Sequence, residues 1–327
     1  MNRAVLVTLI FCVCWCPAHA GWTQPLERVQ TISLGALEGR IDHMCLDAQN
    51  NRLLVAALAN NSLEVVDLKQ CKRVLSVTDP KGPQDVMILP ESREVVVTSG
   101  ADGVLRIYDD KLHLVRFLGR LKNADNVRYD SASGRIFLGY GKALAVIDPK
   151  IPSKIAEVPL GGHPESFEVE KDGKNIFVNV PEAREVVVIN KDTLQIAAHW
   201  QLLEARENFP MALDETNHRL FVGCRSRAKV LVYDTKSGSY VGKVDCVSDA
   251  DDLHYDAEHK RVYVTGGQGY ITVIGQVDPY LYKAEASITT SAGARTSCFD
   301  PASGTLYLAV PRHRDQSAAI WVYKARP

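Results

Sequence analysis

The stretch DAQNNRLLVAALANNSLEVVD, from Asp47 to Asp67, decides the fold, because its pattern recurs seven times along the chain. Each copy has a polar start and a short apolar strand before an Asp-led turn, and two more apolar strands after it. The turn positions lie about 40 to 44 residues apart, at Asp47, Pro90, Asp130, Glu170, Asp214, Asp256 and Asp300. Such a period with about four strands per unit is typical of propellers. We therefore predict an all-β, seven-bladed β-propeller with four-stranded antiparallel blades.

The second and third strands of the repeats carry the β-branched and aromatic residues that suit a pleated, buried surface. Second strands include RLLVAAL, RIFLGYG and RLFVGCR, and third strands include SLEVVDL, ALAVIDP and KVLVYDT. The seventh repeat has no fourth strand, because the chain stops soon after its third. The segment 22–34, containing LERVQTISL, resembles a fourth strand. We therefore predict that it completes blade seven and closes the ring.

The first twenty residues have the pattern of a secretory signal peptide. Arg3 precedes an apolar run from Ala4 to Cys16, and Ala18-His19-Ala20 forms an A-x-A cleavage site. The apolar run is too short to span a bilayer of ~30 Å hydrocarbon. We therefore expect a cleaved signal at 1–20, one propeller domain at 21–327 and a periplasmic or extracellular location. We also expect a monomer without a membrane span.

Composition excludes several classes of function. The formal net charge is −1 at pH 7, which gives no bulk attraction for nucleic acid. Beyond the predicted signal peptide, five of the eight cysteines remain, and no C-x-x-C pair occurs among them. A thiol zinc site or a thioredoxin-like activity therefore has no support. The remaining cysteines are interpreted as small buried hydrophobes whose pairing the sequence leaves open.

Two sets of residues resemble a known family. Tyr263-Val264-Thr265-Gly266 nearly spells the strand after which YVTN-type β-propellers are named. The blade starts IDH, PQD, DADN, HPES, NFPM, DADD and GARTS look like those of an uncharacterised periplasmic branch of that family. The resemblance covers the chain beyond the signal peptide and implies a secreted, seven-bladed bacterial protein. It implies little about chemistry, because one propeller scaffold carries many unrelated functions.

Alignment of the repeats separates structural acids from candidate functional ones. The turn Asp residues are explained by hydrogen bonds from their carboxylates to the turn backbone. Five residues before each turn position, the innermost strand is expected to start at the mouth of the central channel. Its seven occupants are Asp42, Asp85, Asp125, Glu165, Phe209, Asp251 and Arg295. Folding alone does not require five acids there.

Neighbouring carboxylates in this ring would repel by ~2 kcal/mol at an effective dielectric constant of 20. Raised carboxyl pKa values, pairing with Arg295 and nearby cations, or a bound cation would offset the repulsion. The sequence leaves these three open, although one arginine does not suffice for five acids. The oxygen ligands suit Ca²⁺ or Mg²⁺, and the candidate metal ligands are Asp42, Asp85, Asp125, Glu165 and Asp251.

Flanking polar residues extend this candidate site. The full set of candidate ligand-binding residues comprises Asp42, His43, Gln84, Asp85, Asp125, Asn126, His163, Glu165, Asn208, Phe209, Asp251, Asp252 and Arg295. Loops on the same face add a basic arc of Arg184, Arg206, Arg225, Arg227, Lys229, Arg312, His313 and Arg314 around the acids. Acids inward and cations outward suit a small zwitterionic or anionic ligand, or a charged loop of a partner protein.

The sequence therefore favours a secreted binding module that presents an acidic channel mouth, rimmed by basic loops, to a small ligand, a cation or a periplasmic protein. The alternative is a metal-dependent enzyme of the lactonase or lyase type, with its metal at the same mouth. Binding of single-stranded nucleic acid by the basic arc is a second alternative. The near-neutral charge and the lack of aromatic residues among the cations disfavour it.

Overall fold

The computed structural model describes residues 24–327 as seven four-stranded antiparallel sheets arranged in a ring. The predicted seven-bladed propeller is thereby confirmed. The predicted signal peptide at 1–20 lies outside the described residues. Strand β1 spans Leu26–Gly35. Blade one is β2 (Met44–Asp47), β3 (Arg52–Ala57), β4 (Ser62–Asp67) and β5 (Lys72–Val77). Blade two is β6 (Pro83–Ile88), β7 (Val95–Ser99), β8 (Val104–Tyr108) and β9 (Leu114–Leu118).

The middle blades follow the same order. Blade three is β10 (Val127–Asp130), β11 (Arg135–Tyr140), β12 (Ala143–Asp148) and β13 (Ser153–Pro159). Blade four is β14 (Phe167–Val169), β15 (Asn175–Val180), β16 (Glu185–Asn190) and β17 (Ile196–Gln201). Blade five is β18 (Arg206–Asp214), β19 (Arg219–Ser226), β20 (Lys229–Asp234) and β21 (Tyr240–Asp245). Two 3₁₀ turns, Leu58–Asn60 and Pro181–Ala183, connect second to third strands in blades one and four.

Blade six is β22 (Ala250–Asp256), β23 (Arg261–Gly266), β24 (Tyr270–Asp278) and β25 (Leu281–Thr289). Blade seven has β26 (Ser297–Asp300), β27 (Thr305–Val310) and β28 (Ala318–Ala325) from the end of the chain. Its outer strand is β1, which pairs antiparallel with β28, for example Ile32 with Ile320. This confirms the predicted ring closure, with the strand at Leu26–Gly35 within and just beyond the predicted 22–34. Because β1 pairs with β28, the backbone of β28 is not left as an exposed sheet edge.

The cores lie between neighbouring blades. Each sheet is covered on both faces, so a second strand such as β27 is buried at every position. Between blades three and four, Phe137, Phe167 and Val178 are fully buried in one such cluster. Burying a side chain of this kind contributes roughly 1.5–3 kcal/mol. This two-sided burial explains why the second strands read as continuous apolar runs rather than as alternating patterns.

Every blade starts with a β-bulge, in which two residues of the first strand lie opposite one residue of the second. In blade one, the N–H of Asp42 donates to Ala56 O and the N–H of Ala56 donates to His43 O. Blade three repeats this arrangement with Asp125 and Asn126 opposite Gly139. A bulge redirects the side chains on either side of it. Consequently the first and second bulge residues of each blade have different surroundings.

The bulge in blade two corrects the sequence alignment by one residue. Val86 pairs with Val97, and the N–H of Leu89 donates to Glu94 O as the turn residues of other blades do. The turn position is therefore Leu89 and not Pro90, which has no N–H for that bond. Gln84 is then the first bulge residue of blade two. Asp85 is the second, in the same place as His43 of blade one.

Candidate functional site

The mouth ring comprises the seven first bulge residues: Asp42, Gln84, Asp125, Glu165, Phe209, Asp251 and Arg295. It contains four acids rather than the five predicted, because Asp85 does not belong to it. Asp251 lies at the centre of the ion pairs of the mouth ring, and its side chain is 7% exposed. Arg225 Nη2 donates to Asp251 Oδ1, and Arg295 Nε lies 2.9 Å from Asp251 Oδ2.

A third arginine joins this network from the start of blade one. Arg40 Nη2 donates to Asp42 Oδ1 at 3.0 Å and lies 3.5 Å from Asp251 Oδ2. Arg295 also donates to Asp249 Oδ1 at 2.9 Å. Arg40 and Arg225 therefore join Arg295 in pairing with the acids of the mouth. The expected separation of acids inward and cations outward does not hold for Arg225, which reaches inward to Asp251.

Phe209 interrupts the acids of the mouth ring and supports Arg225. The guanidinium carbon of Arg225 lies 3.5 Å from the centroid of the Phe209 ring, within the range of a cation–π contact. The neighbouring Asn208 is fully buried and donates to Asn179 Oδ1 at 2.8 Å and to Glu185 O at 2.9 Å. Asn208 therefore anchors the strand start and does not face a ligand.

His163, Asp125 and Glu165 form the opposite side of the mouth. His163 Nδ1 donates to Gly141 O at 2.9 Å, and its Nε2 lies 3.4 Å from Asp125 Oδ2. Although burial lowers the pKa of His163, these contacts and the nearby acids raise it to about 9. Burial and the charge of Asp125 raise the pKa of Glu165 to about 7. Burial likewise raises the pKa of Asp42 to about 7, against the effect of His43 and Arg40.

The mouth therefore offsets its carboxylate repulsion in two of the three ways open from the sequence, by arginine pairing and by raised carboxyl pKa values. Within residues 24–327, no group of three or more His, Cys, Asp or Glu side chains is placed to hold a metal ion. The candidate metal ligands are not assembled into one site: Asp42 and Asp251 face arginines, and Asp85 lies between blades. The proposed Ca²⁺ or Mg²⁺ site thus gains no support.

Asp85 and Asp252, both second bulge residues, connect adjacent blades. Asp85 Oδ2 accepts the N–H of Val127 at 3.0 Å, and Asp252 Oδ2 accepts the N–H of Ser297 at 2.7 Å. At the equivalent position of blade three, the side chain of Asn126 donates to Asp125 Oδ1 at 3.2 Å. The contacts of Asp85 and Asp252 tie the inner strands of neighbouring blades together, whereas that of Asn126 stays within blade three.

Beyond the bulges, the channel widens into a cavity of about 620 Å³. Its walls come from blades six, seven, one, two and three. At its far end it is lined by the exposed turn residues Ala48, Pro90, Ser131 and Pro301. It is therefore open at the face that carries the turns after the first strands, opposite the mouth. We refer to it as the turn-side cavity. Its volume lies within the range of small-molecule sites.

One column of the repeat contributes five of the residues that line the cavity, and the sequence analysis did not identify it. The residue two before each turn position is Cys45, Met87, Arg128, Glu168, Ala212, His254 or Cys298. Five of these line the cavity: Cys45, Met87, Arg128, His254 and Cys298. The signal was present in the alignment, because a column that mixes cysteine, methionine, arginine and histidine is not required by folding. The sequence interpretation covers only the two cysteines of this column, as small buried hydrophobes.

Two ion pairs lie at the inner end of the turn-side cavity. Arg128 Nη1 lies 3.1 Å from Asp85 Oδ2, and His43 Nδ1 lies 3.3 Å from Asp252 Oδ1. Although burial lowers the pKa of His43, Asp252 raises it well above the ordinary value. Burial acts to raise the pKa of Asp252, yet His43 and other contacts hold it below the ordinary value. The contact with Asp252 therefore favours the protonated form of His43.

His254 and the two cysteines give the cavity uncharged walls. Burial lowers the pKa of His254, and its Nε2 lies 2.9 Å from Ser297 Oγ. Burial raises the pKa of Cys45 to about 12 and that of Cys298 well above its usual range. Both are thiols at neutral pH, and only the thiolate is a strong nucleophile. The cavity is thus suited to binding more than to thiol chemistry.

Comparison with known proteins supports the fold and no more. No protein-family model matches the sequence, and no curated protein matches it at a significant level. A chain of a solved structure described as "Crystal Structure of Mitotic Checkpoint Complex" has a TM-score of 0.78 and 12% identity, covering 100% of this chain and 99% of its own. A chain of Kuenenia stuttgartiensis hydrazine synthase has a TM-score of 0.71 and 13% identity, covering 82% and 91%. At such identities the likeness shows that the chain has the seven-bladed propeller fold.

In the described residues, no helix has the length and apolarity needed to cross a membrane.

Proposed function

We propose that this propeller is a binding module for a small organic acid and that the turn-side cavity is its site. The observation that carries the proposal is the position of Arg128 in the cavity wall. Its Nη1 donates to Asp85 Oδ2 and Val127 O, whereas among the described residues its Nε and Nη2 have no protein acceptor. These two donors form the planar fork that matches a carboxylate in bidentate geometry.

The rest of the cavity defines the class of ligand further. Asp85 and Asp252 are already compensated by Arg128 and His43, so the two acids at the inner end of the cavity are paired with cations. The third acid of the lining, Asp300, is hydrogen-bonded within its own turn. Neutral His254 offers a polar contact at the same level. Met87 and Phe299 supply apolar wall. A compact acid with one anionic group and a small apolar or hydroxylated body fits this combination.

We further propose that the protein is secreted to the periplasm or beyond. The signal-peptide pattern of 1–20 and the resemblance of the blade starts to YVTN-type propellers support this location. The charge network of the mouth then occupies the opposite face of the ring. That face remains available to a partner protein while the turn-side cavity holds its ligand.

Binding is tested by thermal shift and calorimetry with a panel of small hydroxy, keto and amino acids. At least one acid should raise the melting temperature in the millimolar range or below. Arg128→Gln should weaken its binding about tenfold or more, because a charge-assisted contact is lost. Arg128→Lys, which keeps the charge beside Asp85 but loses the fork, should also weaken it.

The matched control is Arg120→Gln, since Arg120 is exposed and does not line the cavity. It should bind the selected acid as the unmodified protein does. The proposal is wrong if no acid of the panel binds, or if a bound acid is held equally well by both Arg128 variants.

A further inference from the structure

Three arginines on the mouth face line one small hollow, apart from the turn-side cavity. Arg184 belongs to blade four, and Arg206 and Arg227 belong to blade five. The hollow has a volume of about 140 Å³ and straddles the boundary between these blades. We refer to it as the arginine hollow. Its remaining lining residues are Leu202, Leu203 and Ala205.

The backbone brings these three side chains together. Arg206 pairs with Ser226 at the open end of the β18–β19 ladder, and Arg227 follows directly in the turn. Within blade four, the N–H of Leu202 donates to Arg184 O at 2.9 Å and extends the β16–β17 ladder. Arg184 has φ 55° and Arg227 has φ 61°, so both adopt the left-handed conformation that costs free energy for a non-glycine residue.

Three other cations of the predicted basic arc have acidic partners, whereas the arginines of the hollow do not. Lys229 pairs with Asp245, Arg312 with Glu38, and Arg225 with Asp251. Among the described residues, no carboxylate forms an ion pair with Arg184, Arg206 or Arg227. The nearby Glu204 is paired with Lys243. Three positive charges therefore share one hollow, and none of them forms a salt bridge within the described residues.

The floor of the arginine hollow strengthens an anionic contact. Leu202 is 4% exposed and Ala205 is 2% exposed, so the lining beside the three arginines includes a buried apolar base. Electrostatic attraction is stronger over such a base than in open water. Leu203 stands at the rim with 87% of its surface exposed. An apolar group beside the anion would contact it.

We propose that the arginine hollow binds a phosphoryl group. Three guanidinium groups around a small concave space match the several oxygens and the charge of a phosphate better than those of a single carboxylate. The phosphate can come from a free phosphorylated compound or from an anionic lipid headgroup. In the second case Leu203 would enter the apolar layer beneath the headgroups.

The first experiment measures binding of inorganic phosphate and pyrophosphate by calorimetry and by chemical-shift titration at low ionic strength. We expect saturable binding that weakens as salt is raised. Arg184→Gln, Arg206→Gln and Arg227→Gln should each weaken it about tenfold. Arg314→Gln is the matched control, because Arg314 is also exposed, lies in a loop of the same face and has φ 52°. It should bind as the unmodified protein does.

The second experiment distinguishes the two sources of phosphate. The protein is sedimented with vesicles of phosphatidylcholine alone or with phosphatidylglycerol. Binding to the anionic vesicles that is lost in Leu203→Ser indicates a lipid headgroup, whereas binding of soluble phosphate that is unchanged in Leu203→Ser indicates a free compound. The proposal is overturned if neither probe binds, or if the three arginine variants bind as Arg314→Gln does. The three arginine variants leave every residue of the turn-side cavity unchanged, so failure of the cavity proposal and failure of this one are separable.

Discussion

Arg225 lies flat over Phe209, with 3.5 Å between its guanidinium carbon and the ring centroid, while its Nη2 donates to buried Asp251. The aromatic ring and the carboxylate together hold one cation over the channel mouth. Phe209 is therefore not a gap in a ring of acids. It is the platform that directs Arg225 toward Asp251.

Removal of Arg225 should destabilise the fold, because Asp251 is 7% exposed and would lose its closest partner. We expect Arg225→Met to lower the free energy of unfolding by about 2 kcal/mol. This is less than the 3–5 kcal/mol typical of a broken buried pair, because Arg295 and Arg40 remain. Urea denaturation measures the change. Combined with Asp251→Asn, the loss should be smaller than the sum of the single losses, and strict additivity would contradict the pairing.

Stability should fall as the pH rises from about 4 to about 9. The carboxyls of Asp42 and Glu165 have folded pKa values raised to about 7, so their ionisation between their unfolded values and 7 disfavours the native state. The folded pKa of His163 is raised to about 9, so its stabilising effect is complete below its unfolded value and is lost as the pH rises through 9.

Melting temperatures measured across this range check the prediction. Glu165→Gln should flatten the profile below pH 7, and His163→Gln should flatten it above pH 7. A melting temperature that rises steadily between pH 5 and pH 9 would show that these assignments are wrong.

Asp85 should matter more for stability than the mouth acids do. Asp85→Ala removes the acceptor of the Val127 N–H and the carboxylate partner of Arg128, whose Nη1 keeps only its bond to Val127 O. We expect a loss of about 2–4 kcal/mol. Asp125→Asn, which keeps hydrogen-bonding atoms at the half-buried mouth, is the comparison and should cost less than half as much. Equal losses of unfolding free energy in denaturant titrations would contradict the assignment of Asp85 to a position outside the mouth ring.

Removal of the closing strand should prevent stable folding. A variant that starts at residue 36 lacks Leu26, Ile32 and Leu34, which are buried at 1% exposure or less. It also leaves the outer edge of β28 without a partner strand, and we expect aggregation through that edge. Size-exclusion chromatography should show large species, in contrast to a variant that starts at residue 22. A monomeric, cooperatively folding protein without β1 would contradict the role of this strand.

The blades were predictable from sequence because the chemistry of each second strand is dictated locally by burial on both faces. The location of the bulges was not, since a bulge depends on hydrogen bonds between strands. For this reason the sequence alignment places Pro90 at the turn position and Asp85 in the mouth ring, each one residue away from the true position. The missing N–H of Pro90 was the available clue.

The candidate site was harder to predict for a different reason. Arg40 and Arg225 reach the mouth through long side chains whose direction depends on neighbours such as Phe209. The sequence placed Arg225 in a loop and therefore assigned it outward. The turn-side cavity is lined by residues of five blades, and no single repeat reveals how those blades lie around the channel.

The pairing of Ile32 with Ile320 also constrains how the molecule is made. The two halves of blade seven are separated by nearly the whole chain, so their association is among the least local steps of folding and is expected to be slow. During synthesis the preceding six blades can form while the ring is still open. The last sheet can assemble only after Ala318–Ala325 has emerged from the ribosome. A chain interrupted before that point would display an unpaired strand, which makes an incomplete molecule recognisable to the cell's proteases.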